Sequence, residues 1–219
     1  MIFINFKTYT EGTGIRALTL IKILEEVSVA SGVKIIPVVQ VTDIKEASLA
    51  TQLEVWAQKI DPAEYGAHTG SILPEAVLED GAKGTFLNHS ELRFPSMESL
   101  KLANERALSL GLKTLIFAGD IKELTEISAL KPTYASYEPP ELVGSTTTSV
   151  AQAKPEIITQ AAEVTKGFGV PLIVGAGIKS KEDVKKSLEL GAVGIAVASD
   201  IVKALDPKKE LMDLTEGFD

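Results

Sequence analysis

The hydrophobic pattern of the chain is a series of short, nearly continuous apolar runs, five of which begin directly after a glycine. Each glycine ends a stretch of helical period, where a residue without a Cβ accepts the positive φ of a helix C-terminal cap. The runs are rich in β-branched residues, as is typical of parallel strands covered by helices. The five pairs are Gly32 with VKIIPVV, Gly81 with AKGTFLN, Gly111 with LKTLIFA, Gly169 with VPLIVGA and Gly191 with AVGIAVA.

The stretches between the apolar runs have the period of amphipathic helices. Lys181 to Leu190 keeps only a few apolar residues among charges, which predicts an outer helix that faces solvent. In the stretch that begins at Ile15, the predicted buried positions recur every three residues, at Leu18, Ile21, Leu24 and Val27.

Three further strands are predicted at Ile2–Phe6, Glu54–Gln58 and Thr133–Glu138, which brings the total to eight. Strands that alternate with helices imply a parallel sheet with right-handed crossovers. Eight such units favour closure into a (β/α)8 barrel, the TIM-barrel class of α/β fold, as a single domain over residues 1–219. An open doubly wound sheet is the alternative. Pro37 lies inside the second predicted strand, where proline removes a ladder hydrogen bond, so we expect a bulge there.

The composition limits the chemistry that is possible. The chain has 219 residues, a net charge of −8 and no cysteine. The absence of cysteine excludes disulfides, thiolate nucleophiles and Cys-based zinc sites. The acidic balance argues against a nucleic-acid or membrane partner. We expect a cytoplasmic protein, because no apolar run reaches the length of a membrane span and the first residues lack a signal-peptide pattern.

Candidate chemistry lies at the predicted strand ends, because active sites of β/α barrels form at the carboxyl ends of the strands. Lys7 follows the first strand, His89 the fourth, and Glu138 ends the sixth. Each alone also fits a structural role, as a solvated charge, a satisfied histidine or a helix cap, so it is their convergence on one rim that indicates a site. The seventh and eighth strands end in 175–178 (GAGI) and 197–199 (VAS), where backbone N–H groups predict a phosphate site.

The segment after the sixth strand is PPELVGSTTTSV, at 139–150. It is long for a connection in a compact barrel. Small and hydroxyl residues beside a carboxylate predict a lid that closes over the site. An ordinary surface loop is the alternative.

These strand-end residues resemble the catalytic signatures of triosephosphate isomerases. The sequences Asn5-x-Lys7, NHSE at 88–91 and Glu138-Pro139 follow the order of the family's three motifs on the corresponding strands. EPPEL, AKPE and GAGIKSKEDV are similar to the compact archaeal branch. The likeness covers essentially the whole chain. NHSE and EPPEL are specific, whereas GAGI is shared with other phosphate-binding barrels.

The resemblance implies an isomerase that interconverts glyceraldehyde 3-phosphate and dihydroxyacetone phosphate through an enediol(ate), in glycolysis and gluconeogenesis, with no metal or organic cofactor. Glu138 is expected to be the base, and His89 the neutral electrophile. Lys7 is expected to supply positive charge, with Glu91 holding it in place. Asn5 is expected to line the substrate site, and the expected phosphate contacts are Val143, Gly144, Gly177, Ala198 and Ser199.

The resemblance also implies self-assembly. The segment IDPAEYGAHTG at 60–70 is similar to the family's third loop, which inserts into a neighbouring subunit near Lys7. Thr69 is the expected contact at this subunit interface. We expect at least a homodimer and favour a homotetramer.

Three features depart from the family pattern: Leu92 follows NHSE where a basic residue is usual, the lid tip is GSTTTS, and Asp200 stands where glycine is frequent. A carboxylate near a bound dianion would repel it, so we expect Asp200 to start the last helix and to point away. One alternative is another phosphate-binding barrel, such as an indole-glycerol-phosphate or prenyl-glyceryl-phosphate synthase, which leaves Lys7, His89 and Glu138 together unexplained. A second is a non-catalytic barrel that binds phosphometabolites or protein partners.

Overall fold

The structure is a computed structural model that describes residues 1–138, 155–175 and 177–219. Strands and helices alternate along these ranges. The strands are β1 (Ile2–Asn5), β2 (Ile35–Val39), β3 (Trp56–Ala57), β4 (Gly84–Leu87), β5 (Lys113–Ala118), β6 (Tyr134–Tyr137), β7 (Leu172–Val174) and β8 (Gly194–Val197).

The described residues form nine α-helices and two short 3-10 helices, the latter at Thr10–Gly12 and Val41–Asp43. No helix in the described ranges has the length and apolar character that crossing a bilayer requires. The α-helices are α1 (Ile15–Ser31), α2 (Ile44–Ala50), α3 (Pro74–Glu79), α4 (Met97–Ser109), α5 (Ile121–Ala129), α6 (Pro155–Gly167), α7 (Lys181–Glu189), α8 (Ser199–Val202) and α9 (Pro207–Glu216).

The sheet closes on itself as a parallel barrel. Each strand pairs with the next in sequence, and β8 pairs with β1 through Ile2 opposite Ile195. This confirms the predicted (β/α)8 barrel and rules out the open doubly wound sheet. The predicted third strand is shorter than expected, although Gln58 N–H still donates to the Val39 carbonyl at 3.1 Å.

Alternate positions along the strands divide the core into two layers, as side chains of a strand point to opposite faces. One layer lies between the sheet and the surrounding helices, and the other fills the barrel. The inner layer is largely aromatic, with ring centroids of Phe3 and Trp56 at 5.0 Å and those of Phe86 and Phe117 at 4.8 Å. The barrel is therefore a packed core that forms a solid floor beneath its carboxyl-end rim.

Pro37 sits in β2 without the expected bulge, and that expectation was wrong. The register between β1 and β2 runs without interruption from Ile2 opposite Ile35 to Asn5 opposite Val38. The Val38 carbonyl accepts from the N–H of Phe6, just after β1, whereas the Val39 carbonyl accepts from the N–H of Gln58 on the other side. Backbone groups of successive residues point to opposite sides of a strand, so the backbone nitrogen of Pro37 points toward β3. The pairing of β2 with β3 begins only at Val38, so the N–H that proline lacks is not needed for a ladder hydrogen bond.

Local signals explain where the helices end and begin. All five glycines that precede apolar runs have positive φ, and the N–H of Gly32 caps α1 by donating to the Ser28 carbonyl at 3.0 Å. Along α1, Leu18 is only half-buried, while the other predicted positions are buried. Side-chain oxygens of Ser96, Asp120, Ser180 and Asp206 accept backbone N–H groups at the starts of α4, α5, α7 and α9.

Candidate active site

A pocket opens at the carboxyl ends of the strands and holds most of the predicted site residues. Lys7 enters it after β1, His89 after β4, and Glu138 after β6. Phe86 and Phe117 of the inner layer form part of its floor. The structure also brings the predicted contacts Asn5, Gly177, Ala198 and Ser199 to this pocket.

The backbone of Lys7 is held in an uncommon conformation, with a φ of 47°. Its N–H donates to the Asn5 side-chain oxygen at 3.0 Å, and its carbonyl accepts from the Gln58 amide at 2.8 Å. Its ammonium group lies 2.9 Å from a carboxylate oxygen of Glu91. These contacts fix both the backbone and the charge of Lys7 at the pocket wall.

Asn88 shapes the loop that carries His89. It has a φ of 60°, which asparagine tolerates better than most residues. Its amide donates to the Phe117 carbonyl at 3.1 Å and to Glu123 at 3.0 Å, and its oxygen accepts the Phe94 N–H at 3.1 Å. This buried side chain ties the loop after β4 to the end of β5 and to α5.

His89 is neutral near pH 7, and its tautomer follows from its contacts. Burial is the largest cause that lowers the pKa of His89 to about 4, with Lys7 acting in the same direction. The Glu91 N–H donates to His89 Nδ1 at 3.2 Å, so Nδ1 is the acceptor. The proton of the neutral ring is therefore on Nε2, which lies 3.5 Å from Glu138 Oε2. The ring of Phe117 packs edge-on against His89, with the two ring centroids 5.0 Å apart.

Glu138 is a buried carboxyl with only 6% of its surface exposed. Burial raises the pKa of Glu138 to about 7, while Lys7 and the hydroxyl of Ser90 pull it the other way. The Ser90 hydroxyl donates to Oε2 at 3.3 Å. Because His89 is neutral, its contact with Glu138 is not an ion pair: the carboxyl of Glu138, a potential base, faces the Nε2–H of His89, a hydrogen-bond donor.

The far side of the pocket is formed by backbone and small residues after β7 and β8. Gly177 has a φ of 67°, which only glycine adopts readily. Ala198 and Ser199 lead into the first turn of α8, where the leading N–H groups of a helix have no partner within it. Asp200 is exposed in that first turn, so it starts α8 and not the last helix, α9, and that part of the expectation was wrong. Asp200 also lines the pocket.

Three predicted positions lie elsewhere or outside the described residues. Val143 and Gly144, with the whole predicted lid at 139–150, fall in the range 139–154 that is not described. Thr69 lies in the exposed run 64–71, away from the pocket. Glu91 contacts Lys7 and His89, consistent with a supporting role.

Sequence reasoning missed three contacts that shape the pocket: it assigned no role to Gln58 or Phe117, and it placed Gly175 only in the phosphate turn. Gln58 holds Lys7, Phe117 packs on His89, and Gly175 lies against Glu138. The alternation of inward positions on β5 was a usable signal for Phe117. Across residues 1–138, 155–175 and 177–219, no group of three or more acidic or histidine side chains has the geometry to hold a metal ion.

Comparison with known proteins identifies the family of the chain that forms this pocket. A profile described as "Triosephosphate isomerase" matches residues 1–216. The chain belongs to the triosephosphate isomerase family. Relatives that bear the family's name include proteins of Metallosphaera sedula, 42% identical over 99% of this chain and 95% of the relative, and of Saccharolobus solfataricus, 44% identical over 97% and 93%. A third, from Methanobacterium bryantii, is 41% identical over 98% of this chain and 95% of its own.

Membership of the triosephosphate isomerase family agrees with the resemblance noted from the sequence motifs. The match extends across all eight strands, so it includes every strand end that contributes to the pocket. The individual roles of the site residues rest on the geometry above and stay predictions.

Proposed function

We propose that this protein interconverts glyceraldehyde 3-phosphate and dihydroxyacetone phosphate, as the names of its relatives indicate. One observation carries the proposal: a buried carboxyl, Glu138, lies 3.5 Å from the Nε2 of a neutral histidine, in a pocket that also holds a fixed lysine. Glu138 can act as the base and the histidine as the hydrogen-bond donor that are needed to move a proton between adjacent carbons.

In the proposed reaction, Glu138 takes a proton from the carbon next to the substrate carbonyl. The electron pair left on that carbon forms the C=C bond of an enediolate, and the carbonyl oxygen gains the negative charge. Glu138 then returns the proton to the neighbouring carbon. The pKa of about 7 suits this exchange, since a base works best when its pKa lies near the working pH.

His89 and Lys7 stabilise the charge that develops on oxygen. The Nε2–H of His89 donates to the enediolate oxygens and transfers a proton between them. A carboxylate base paired with a neutral histidine is the established chemistry of triosephosphate isomerases, so the pairing itself is not a new deduction. The ammonium of Lys7 adds positive charge in a site largely shielded from water, where electrostatic effects are strong.

The phosphate group is placed at the ends of β7 and β8. Gly177, Ala198 and Ser199 offer backbone N–H groups and little steric bulk, which suits an anion at a helix N-terminus. We keep Val143 and Gly144 of the lid as predicted contacts to the same group. The place in glycolysis and gluconeogenesis and the cytoplasmic location also stay proposals.

Assembly through the third loop is part of the proposal. Residues 64–71 are all exposed, Tyr65 among them, and the ends of the loop are closed by Asp61, which accepts the Ile72 N–H at 2.8 Å. A hollow beside Lys7 is bordered by exposed Val41 and Leu92. A second copy of this chain that inserts its Thr69 there would bury these apolar groups, in a homodimer or in the homotetramer that we favour.

The decisive experiment measures turnover of glyceraldehyde 3-phosphate by the purified protein and by its Glu138→Gln and His89→Gln variants. Glutamine keeps the size of each side chain but removes the base or the electrophile, so we expect kcat to fall by at least about 100-fold in each. Activity that survives Glu138→Gln would mean that another group is the base. Binding of phosphate compounds without turnover would favour the non-catalytic barrel instead.

A further inference from the structure

Ser136 is a buried hydroxyl that the proposed mechanism does not use. It lies on β6, is fully buried, and its Oγ has no hydrogen-bond partner in the described part of the chain. A buried hydroxyl without a partner costs free energy, and such a group in a native structure is explained by strain, a catalytic role or a bound water or ion.

Ser136 and Glu138 face the same side of the sheet, because they are two residues apart on one strand. The strand register continues beyond β6, since the Glu138 N–H donates to the Ala118 carbonyl at 2.9 Å and the Gly175 N–H approaches the Tyr137 carbonyl at 3.4 Å. Ser136 therefore lies directly beneath the proposed base, on the inner face of the barrel.

Gly175 leaves a small space between these two side chains. A Cβ built on Gly175 would be 3.0 Å from Glu138 Oε1 and 3.1 Å from Ser136 Oγ. Both oxygens thus border the same space, which any side chain at 175 would fill. The other carboxylate oxygen, Oε2, is engaged by Ser90 and His89, so Oε1 is the oxygen that faces Ser136.

We propose that Ser136 is a positioning residue for Glu138: its hydroxyl donates to Oε1 across the space left by Gly175, directly or through one water, and holds the ionised carboxylate in its reactive orientation. The inference rests on the proposed function, in which Glu138 is the base. The hydroxyl of Ser136 would act on Oε1, for which the described residues give no other hydrogen bond, so loss of Ser136 favours the protonated, inactive form of Glu138.

Other charged and titratable groups also act on Glu138, and they are unchanged by a substitution at 136. Lys7, Glu91 and Arg93 act on its pKa, and His89 contacts it, from the ends of β1 and β4. Asp200, after β8, lines the same pocket. A shift of the pKa of Glu138 on loss of the hydroxyl would therefore report Ser136 itself.

The test compares Ser136→Ala with Ser128→Ala. Ser128 is equally buried, but its hydroxyl donates to the Leu124 carbonyl at 2.6 Å within α5, away from the pocket. In Ser136→Ala we expect the acidic limb of the kcat/KM–pH profile to move to higher pH by about half a unit or more. At saturating substrate and high pH, kcat should fall several-fold with KM little changed. Ser128→Ala should leave both unchanged.

A second measurement does not depend on turnover. Titration of the Glu138 carboxyl by ¹³C NMR, assigned with Glu138→Gln, should show the same upward pKa shift in Ser136→Ala. Ser136→Cys keeps the shape of the side chain with a weak S–H donor and should give a smaller shift. A titration unchanged in Ser136→Ala, or an equal shift in Ser128→Ala, would overturn the role of Ser136. An inactive wild-type protein in which Ser136→Ala still shifts the Glu138 titration would instead overturn the isomerase function alone.

Discussion

At the scale of single residues, Lys7 has opposite consequences for the two groups it faces. Burial favours the neutral form of both Glu138 and His89, and so moves their pKa values in opposite directions. The positive charge of Lys7 adds to burial at His89, because it lowers the pKa further, but it counters burial at Glu138. One cation thus reinforces the neutral histidine that burial chiefly favours, while it favours the ionised carboxylate of Glu138, and both effects suit the proposed proton transfer.

Asp200 is the residue whose charge opposes the proposed phosphate site. It lines the pocket beside Ser199, and a carboxylate there repels a phosphate dianion. We expect Asp200→Asn to lower KM and the inhibition constant of inorganic phosphate by about two- to tenfold at low salt, with less effect at high salt. Steady-state kinetics at two ionic strengths measure this.

The matched control for that substitution is Glu105→Gln, which removes one negative charge from the exposed surface of α4. It should leave both constants unchanged. If Asp200→Asn also leaves them unchanged, its carboxylate does not act on the phosphate, and the expectation that it points away would be supported.

At the scale of an element, the loop after β4 depends on one buried amide. Asn88 makes three hydrogen bonds that hold the loop, and His89 is the next residue. The hydrogen bond from Asn88 to the Phe117 carbonyl on the neighbouring strand thus positions His89, although His89 takes no part in that bond.

The Asn88→Asp substitution tests whether the hydrogen bonds of this loop support activity as well as stability. Aspartate keeps the shape, the tolerance of positive φ and the acceptor for Phe94, but it places a carboxylate against the Phe117 carbonyl and Glu123. We expect a loss of about 2–4 kcal/mol in the free energy of unfolding. We also expect kcat to fall by at least about tenfold, because the loop that carries His89 is no longer held. Urea unfolding and steady-state kinetics measure the two effects.

Asn104→Asp is the control for a buried amide away from the pocket. Asn104 is fully buried and donates to the Leu130 carbonyl at 2.9 Å, while it accepts from Thr114 at 2.8 Å. It should lose similar stability and keep its kcat. Equal losses of kcat in both variants would mean that Asn88 acts on the fold alone.

The sequence predicted the elements better than their contacts, for a physical reason. The positive φ at Gly32 and the reactive positions at strand ends are local signals, readable from neighbours in the chain. The expectation of a bulge at Pro37 was wrong because the need for one depended on where β3 begins to pair with β2. The roles of Gly175 and Ser136 likewise depend on the register between β6 and β7, which no local pattern contains.

At the scale of the whole molecule, the exposed third loop predicts that assembly and activity are coupled. Thr69→Arg places a long cation at the proposed subunit contact and should lower the mass in solution, measured by light scattering. We expect kcat to fall with it, because the hollow beside Lys7 loses its cover. Thr19→Arg, on the exposed surface of α1, is the control and should change neither quantity. An unchanged mass in Thr69→Arg would exclude this loop as the interface.

The stability of the whole molecule also depends on the pocket, through two opposed titrations. The pKa of Glu138 is raised from 4.5 to about 7, so the folded state binds more protons than the unfolded one between these values, and stability falls as pH rises through that window. The pKa of His89 is lowered from 6.5 to about 4, so the folded state binds fewer protons there, and stability rises with pH. Between about pH 4.5 and 6.5 the two slopes cancel.

Single substitutions should expose each slope. The double variant, which combines Glu138→Gln with His89→Gln, gives the pH dependence that all other groups contribute. In Glu138→Gln, His89 is the one remaining group of the pair. Relative to the double variant, the free energy of unfolding of Glu138→Gln should rise by about 3 kcal/mol from about pH 4 to 6.5. His89→Gln leaves Glu138 alone and should lose about 3 kcal/mol from about pH 4.5 to 7. The wild type should follow the double variant between about pH 4.5 and 6.5. Urea unfolding at fixed protein concentration measures all four proteins, since assembly also affects stability. Parallel curves for the two single variants would mean that the pocket does not shift these pKa values in opposite directions, and the assignment of base and neutral electrophile would lose its electrostatic support.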